Sequence, residues 1–112
     1  MGAVTENNTI IIPRGDTARR SIEITIKDGD KDAELYEIKE NDILTLRVKK
    51  NLADKEPCIS KEIKGSSDFH FKPEDTENLH FGKYIYSVRL FTAEGDKYTV
   101  IDKNILEIAE VV

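Results

Sequence analysis

The side chains best suited to chemistry in this sequence lie in a short run of alternating aspartates. Asp28, Asp30 and Asp32 follow the D-x-D-x-D pattern that opens an EF-hand loop, in which alternate carboxylates converge on calcium. The sixth position of such a loop is Ala33 here instead of glycine, and the twelfth is Lys39 instead of a bidentate glutamate. Because both positions depart from the pattern, we interpret the run as a solvated turn, with calcium as the less favoured alternative.

Three other side chains have the capacity to act as bases, ligands or nucleophiles. His70 and His80 have no nucleophile at a recognisable spacing, and a metal bound by both would need a third protein ligand. Cys58 is the single cysteine, which excludes an intrachain disulfide and a thiolate zinc site. We expect its thiol to be buried or half-buried and unreactive. With no nucleophile-base pair or paired carboxylates to name, we predict that the chain is not an enzyme and has no cofactor or metal.

The tripeptide Arg14-Gly15-Asp16 matches the integrin-binding string. A match this short arises readily by chance, and Gly-Asp after a strand is ordinary turn chemistry. We therefore interpret these residues as a turn.

Composition and charge limit the classes of partner. The chain has 112 residues, of which 35% are charged, and a net charge of −5, with acids and bases interspersed. The only close basic pairs are Arg19-Arg20 and Lys49-Lys50, too few for a nucleic-acid surface. We also expect no membrane partner and no signal peptide, because no apolar run has the required length or flanking charges. The predicted organisation is a disordered segment at 1–8 and one domain at 9–112.

The stretch from Gly82 onward alternates in the manner of a long strand. Four residues of one parity form the predicted inner face: Tyr84, Tyr86, Val88 and Leu90. Ile85 and Phe91 have the other parity, so they would form an apolar strip on the outer face.

A hairpin at Glu94-Gly95 returns the chain along this strand, because Gly95 can supply the positive φ of a tight turn. The partner strand is predicted from Lys97 to Ile108. A two-residue turn would place Val88 opposite Ile101, whereas a three-residue loop would place Leu90 opposite Val100, and both registers remain open.

A short helical turn and a corner tyrosine are predicted just before this strand. Pro73 suits the first helical position, and Asp75 lies where the helix dipole favours an acid. Tyr84 then occupies the position of the corner tyrosine of immunoglobulin-like domains, and Tyr86 occupies the position of the second disulfide cysteine. We predict that the Tyr84 hydroxyl bonds to the backbone of the turn that begins at Pro73.

The remaining apolar runs are short, β-rich and separated by turn residues. Thr9 to Pro13 is predicted as an edge strand, and further strands are expected around these inward residues: Ile22, Ile24, Ile26, Leu44, Leu46, Val48, Phe69 and Phe71, with Ile59 and Ile63 marking one more and 35–38 a possible short one. The predicted fold is an all-β, immunoglobulin-like antiparallel β-sandwich of about seven strands, with one short helical turn near Pro73.

Several motifs together resemble a known family. They are IPRGDT at 12–17, ITI at 24–26, LTLRVKKN at 44–51 and PEDTENLHFGKYIYSVRL at 73–90. The chain resembles the amino-terminal domain of phage baseplate upper proteins and related small prophage tail proteins of Gram-positive bacteria. The resemblance implies a non-enzymatic assembly module of a phage or prophage tail, made in the bacterial cytoplasm and located in the virion. Its partners would be other tail or baseplate proteins, or further copies of the chain.

Two surfaces are predicted to mediate such assembly. Ile85 and Phe91 would act by apolar burial, and the edge strand with Ile10 and Ile12 would act by strand addition. The alternative function is an immunoglobulin-like adhesion or glycan-binding module of the bacterial surface. The absence of tryptophan, the inward assignment of two of the four tyrosines and the lack of a signal peptide argue against it.

Overall fold

Short β-strands dominate the structure, with one helical turn among them. The computed structural model describes residues 2–3, 9–27, 32 and 34–110. The elements are β1 (Gly2–Ala3), β2 (Ile10–Pro13), β3 (Ala18–Ser21), β4 (Ile24–Lys27), β5 (Glu34–Tyr36), β6 (Ile43–Lys49), β7 (Ile59–Lys64), β8 (Asp68–Phe71), α1 (Pro73–Thr76), β9 (Gly82–Phe91) and β10 (Lys97–Ala109). The chain is therefore an all-β protein, and the predicted helical turn begins at Pro73.

The largest sheet has five strands in the order β2-β10-β9-β6-β7. β9 lies in its centre and pairs antiparallel with β6 and with β10. β2 pairs with β10 in the parallel direction, with Ile12 opposite Ile108. The prediction of a purely antiparallel fold is therefore wrong at this edge. The pairing is parallel because β2, near the start of the domain, and β10, at its end, lie side by side and run in the same direction.

The strand predicted around Ile22, Ile24 and Ile26 is divided in the structure. β3 pairs with β8, whereas β4 pairs with β5 on one side and with β1 on the other. Between them the Ile22 amide donates to the Ser67 carbonyl at 2.9 Å. The break occurs because the pairing with β8 ends at Ser21. From Ile24 onward the chain pairs with β5 and β1 instead.

The segment 1–8 was expected to be disordered. Gly2–Ala3 instead form β1, with Ala3 opposite Ile26. The other positions of this segment lie outside the described residues. These additional short strands raise the number above the seven that the sequence indicated.

The core lies between the inner face of the five-stranded sheet and the strands packed on it. Every residue predicted to be inward is buried except Ile26, which is partly buried against the core. Several buried residues were not predicted: Ile10, Ile12, Ala18, Ile59, Val100, Ile101, Leu106 and Ile108. Burying one large apolar side chain contributes about 1.5–3 kcal/mol, so the inner face of β10 is a substantial part of the stability.

The final hairpin contains the Val88–Ile101 pair of one predicted register, whereas the Leu90–Val100 pair of the other is not formed. Val88 lies opposite Ile101, but Leu90 lies opposite Tyr98, and the register shifts between Thr99 and Ile101. This bulge places two consecutive residues, Val100 and Ile101, in the core. The hairpin loop is longer than a two-residue turn, and Gly95 within it has φ +94°.

Candidate functional site

The predicted corner tyrosine, Tyr84, lies near the start of β9, directly after the turn that begins at Pro73. The Tyr84 hydroxyl donates to the His80 carbonyl at 2.9 Å, and only 3% of Tyr84 is exposed. This is the backbone bond predicted for the turn that begins at Pro73. Burial raises the pKa of Tyr84. The Lys50 ammonium lies 4.5 Å from the centre of the Tyr84 ring, so the ring face toward this end of the molecule is covered by a cation.

Tyr86 lies two residues further along β9, on the same inner face. Its side chain is fully buried, and burial raises its pKa to about 12. The aromatic ring therefore fills core volume, and its hydroxyl stays protonated at any physiological pH.

Asp75 joins the helical turn to the edge strand β7. One of its oxygens, Oδ2, accepts the Lys72 amide at 2.7 Å and lies 2.5 Å from the Lys61 ammonium. Burial raises the pKa of Asp75, but the bond from Lys61 outweighs it, so that the net pKa is lowered. The Lys61–Asp75 pair therefore has a structural role, because it links α1 to β7. The carboxylate oxygen that makes the link is already hydrogen-bonded within the chain.

The Arg14-Gly15-Asp16 turn is held by contacts within the chain. The Gly15 amide donates to Oγ1 of the fully buried Thr76 at 2.8 Å, and the Arg14 guanidinium stacks 4.4 Å from the centre of the Phe81 ring. Gly15 has φ +80°, which glycine adopts without strain. These contacts support the interpretation of the tripeptide as a turn, and the Gly15 amide links this turn to α1.

The contact predicted at β2 was strand addition along Ile10 and Ile12, which would have to use the backbone of this edge rather than its side chains. Ile10 and Ile12 are 4% and 0% exposed, so both side chains belong to the core and offer nothing to a partner. They point inward because the parallel pairing with β10 places them over the inner face. Ile11 between them is 51% exposed and points outward.

The backbone of the β2 edge is also occupied. The Arg14 amide bonds to the Ala109 carbonyl, so alternate residues of β2 face β10, and the groups of Ile11 and Pro13 face away from it. The Ile11 carbonyl accepts from the Arg20 guanidinium at 2.9 Å, and the Pro13 carbonyl accepts from the Asp16 amide at 3.1 Å. Pro13 has no N–H to offer. An incoming strand would have to displace these bonds, which is unfavourable to the predicted strand addition.

The outer face of the five-stranded sheet holds Ile85 in an apolar cluster. Ile85 lies opposite Ile105 of β10, and Ile11 lies on the neighbouring strand opposite Glu107. We call Ile11, Ile85 and Ile105 the isoleucine patch. Ile85 and Ile105 are half-buried, and Ile11 is the most exposed of the three.

Phe91 lies at the opposite end of the same face. It is half-buried, it pairs with Ile43 of β6, and the Arg89 guanidinium lies 5.3 Å from the centre of its ring. Ser87 and the exposed Arg89 separate it from Ile85 along β9. The predicted continuous strip is therefore divided, with its two ends about 20 Å apart at the usual strand rise.

One end of the molecule contains a cavity that the sequence did not predict. It has a volume of about 370 Å³ and is formed where β4, the segment before β6 and the β9–β10 hairpin meet. We call it the end cavity. Its lining residues are Ile26, Tyr36, Lys39, Glu40, Asn41, Asp42, Thr92, Ala93, Glu94, Asp96 and Tyr98.

Asp42 holds the inner wall of the end cavity together. It is 2% exposed, and its Oδ2 accepts the Tyr36 hydroxyl at 2.6 Å and the Lys39 amide at 2.9 Å. Burial raises the pKa of this carboxyl, but the bonds from Tyr36 and from backbone amides outweigh it, so the net pKa is lowered. Burial, and then the bond to Asp42, raises the pKa of Tyr36 to about 12. The pair therefore carries one buried negative charge with its hydrogen bonds satisfied.

The rim of the end cavity carries most of its exposed charge. Glu40, Glu94 and Asp96 are exposed carboxylates, and Lys39 is the exposed cation among the lining residues. The Lys39 ammonium lies 5.9 Å from the centre of the Tyr36 ring. The arrangement offers aromatic faces, hydrogen-bond acceptors and a negative potential to a small ligand.

No local motif could have identified this cavity. Tyr36 and Tyr98 come from distant segments, and each belongs to a short alternating run that indicates only a strand. The sequence argument against glycan binding considered the two inward tyrosines, whereas the structure brings the other two to one site. The position of Asp42 directly before an apolar strand was only a partial indication of a site, because ordinary turn residues occupy the same position.

The remaining candidate residues show no catalytic arrangement. His70 and His80 are exposed. Cys58 is exposed rather than buried, which corrects the expectation. Although the residue as a whole is exposed, its thiol donates to the Val48 carbonyl at 3.3 Å and is partly desolvated, and this desolvation raises the pKa of the thiol, so the thiolate is disfavoured.

The aspartate run at 28–32 is only partly covered by the described residues. Asp28 and Asp30 fall outside the described residues. Within 2–3, 9–27, 32 and 34–110, no group of three or more potential ligands is close enough to hold a metal ion.

In the part of the chain that is described, no helix has the length and apolar character needed to cross a membrane. Comparison of the chain with protein-family models, with curated proteins and with solved structures finds no match.

Proposed function

We propose that this chain is a non-enzymatic assembly module of a phage or prophage tail, of the baseplate type, built on an immunoglobulin-like sandwich. The motifs at 12–17 and 73–90 support the family, and their contacts support a structural role for them. The Gly15 amide donates a hydrogen bond to the Thr76 hydroxyl, and the Arg14 guanidinium stacks on the Phe81 ring. The two motifs thus form one unit of packing at one end of the domain.

The strand order supports the immunoglobulin-like part of the proposal. In that fold, strands B and E share one sheet and strands C, F and G share the other. Here β3 pairs with β8, and β6, β9 and β10 are neighbours in the larger sheet. The bond from Tyr84 to the His80 carbonyl corresponds to the tyrosine corner that precedes strand F.

The observation that carries the assembly function is the isoleucine patch. Three isoleucines share the outer face of a sheet whose other outward residues are mainly polar. Lys49, Lys83 and Glu107 lie beside it and give the patch a charged rim. An apolar centre with a polar rim is the usual composition of a protein–protein contact. The partner would be another tail or baseplate protein, or a second copy of the chain.

Size-exclusion chromatography with light scattering tests this proposal on the chain alone and with co-expressed tail proteins. Ile85→Asp should abolish self-association or co-elution. A contact over the patch would desolvate the new carboxylate without giving it a hydrogen-bond or ion-pair partner. Thr99→Asp is the matched control, since Thr99 is exposed on the same face outside the patch. Both variants should keep the strand-rich circular-dichroism spectrum. A wild-type chain that stays monomeric at high concentration and ignores every tail protein would refute the assembly function.

A second candidate function is an adhesion or glycan-binding module of the bacterial surface. One observation favours it, namely that Tyr36 and Tyr98 both line the end cavity. Small-ligand sites commonly combine aromatic side chains with a few polar groups, and a sugar can use both. Binding to a glycan array by the wild type, lost when Tyr98 is replaced by alanine, would support this function over assembly.

A further inference from the structure

The end cavity has the size and rigidity of a small-ligand site. Its volume of about 370 Å³ lies within the usual range of about 300–1,000 Å³ for ligand pockets. Asp42 fixes its inner wall through the Tyr36 hydroxyl and the Lys39 amide, and the Asp42 carbonyl accepts the Gly65 amide at 2.8 Å. A wall held by satisfied buried hydrogen bonds is preorganised, so a ligand would lose little free energy in ordering it.

The apolar part of the wall is aromatic. Tyr36, Tyr98 and Ile26 are partly buried side chains that pack against the core on one side and line the cavity on the other. The face of an aromatic ring attracts a cation placed within about 6 Å of its centre. Two tyrosines at one cavity therefore provide a surface that suits an organic cation as well as an apolar group.

The charges around the cavity decide between ligand classes. Glu40, Glu94 and Asp96 at the rim outnumber Lys39, and the buried Asp42 adds to the negative potential. A phosphate, a carboxylate or an acidic sugar would be repelled. A cation would be attracted at the rim by charge and also at longer range, because the whole chain carries a net charge of −5.

Lys39 supplies the observation that points to the ligand. Its ammonium lies 5.9 Å from the centre of the Tyr36 ring, at the outer limit of a cation–aromatic contact. The chain thus already places an alkylammonium group, carried on an exposed side chain, near this wall. We propose that the end cavity binds an organic cation, an alkylammonium or guanidinium group, which displaces the Lys39 ammonium from the face of Tyr36. This inference does not depend on the assembly function.

The cation could belong to a free small molecule or to a lysine or arginine side chain of a partner protein. Nuclear magnetic resonance titration of the full chain distinguishes these sources, with choline chloride and the blocked amino acid N-acetylarginine amide as probes. We expect saturable shifts of the amides of residues 39–42 and 92–96. Tighter binding of choline would indicate a free quaternary ammonium ligand, and tighter binding of the arginine derivative would indicate a partner side chain.

Two controls separate cation binding from simple apolar binding. The uncharged isostere of choline, in which carbon replaces the quaternary nitrogen, should bind about five-fold more weakly or less. Higher salt should weaken choline binding and leave the isostere unaffected. Equal binding of the two compounds would overturn the proposal, as would shifts produced by a neutral methyl glycoside when choline produces none.

Variants give the sharpest test, because they act in opposite directions. Lys39→Met removes the internal ammonium and should tighten choline binding about two- to five-fold. The double change Glu94→Gln and Asp96→Asn keeps the side-chain shapes and should weaken it by a similar factor. Glu74→Gln, an exposed carboxylate on α1, is the control and should change nothing. Unchanged or weaker binding by the Lys39→Met variant would refute the displacement of Lys39 by the ligand.

Discussion

Replacement of Asp42 by alanine should destabilise the chain more than replacement of any exposed loop carboxylate. Asp42 is 2% exposed, and the change removes an acceptor from the Tyr36 hydroxyl at 2.6 Å and from the Lys39 amide at 2.9 Å. Hydrogen bonds to a charged acceptor contribute about 1.5–3 kcal/mol each. Lys39 is exposed, so its amide can find water, whereas the Tyr36 hydroxyl is less able to do so. We therefore expect a loss of about 2–4 kcal/mol in the free energy of unfolding.

Urea denaturation followed by circular dichroism measures this loss directly. Asp96→Ala is the matched control, because Asp96 lines the same cavity but is exposed, and it should change the free energy by no more than about 0.5 kcal/mol. Tyr36→Phe removes the other member of the pair, and the double variant should cost less than the sum of the single changes. Additive effects, or a loss equal to that of the control, would refute the role assigned to Asp42.

The same prediction has a signature in pH. The pKa of Asp42 is lowered by folding from its ordinary value of 3.8. A carboxyl with a lowered pKa stabilises the fold fully above its unfolded value, and this contribution disappears as the pH falls through the folded value. The difference in stability between wild type and Asp42→Ala should therefore be constant near neutrality and should shrink below about pH 4. A difference that grows on acidification would contradict the reasoning.

Two further changes test the turn at the other end of the domain. Tyr84→Phe removes the hydroxyl that bonds to the His80 carbonyl and should cost about 0.5–1.5 kcal/mol, and an unchanged urea midpoint would count against the corner role. Thr76→Val keeps the shape of a fully buried side chain but removes the acceptor of the Gly15 amide, so we expect a loss of about 1–2 kcal/mol by the same measurement. If Thr76→Val proved neutral, the link between the two motifs would have no energetic weight.

The sequence predicted those parts of the fold that depend on neighbouring residues. The alternation from Tyr84 to Leu90 identified the central strand and its inner face correctly, because the side-chain period of a strand is visible in the chain itself. The helical turn at Pro73 was also predicted, since proline and the following acids act locally.

The errors arose where distant segments decide the outcome. The run Ile10, Ile11, Ile12 has no alternation, so the sequence could not indicate which face is buried, and the pairing with β10 settled it. The bulge at Val100 depends on packing against β9 and has no local signal. The end cavity joins Tyr36 to Tyr98 across sheets, and its existence follows from the arrangement of strands alone.

The two outer strands of the large sheet have consequences for how copies of this chain could grow into an ordered array. At β2 the outward carbonyls are already bonded, and at β7 the side chain of Lys61 points toward Asp75 instead of away from the domain. An inward charge on an edge strand discourages fibre formation, because a flat extension of the sheet would bury that charge. A contact between copies of the chain at these two edges would then rest on side chains rather than on backbone pairing. A contact of this kind can be altered by a single substitution while the sheet itself stays the same.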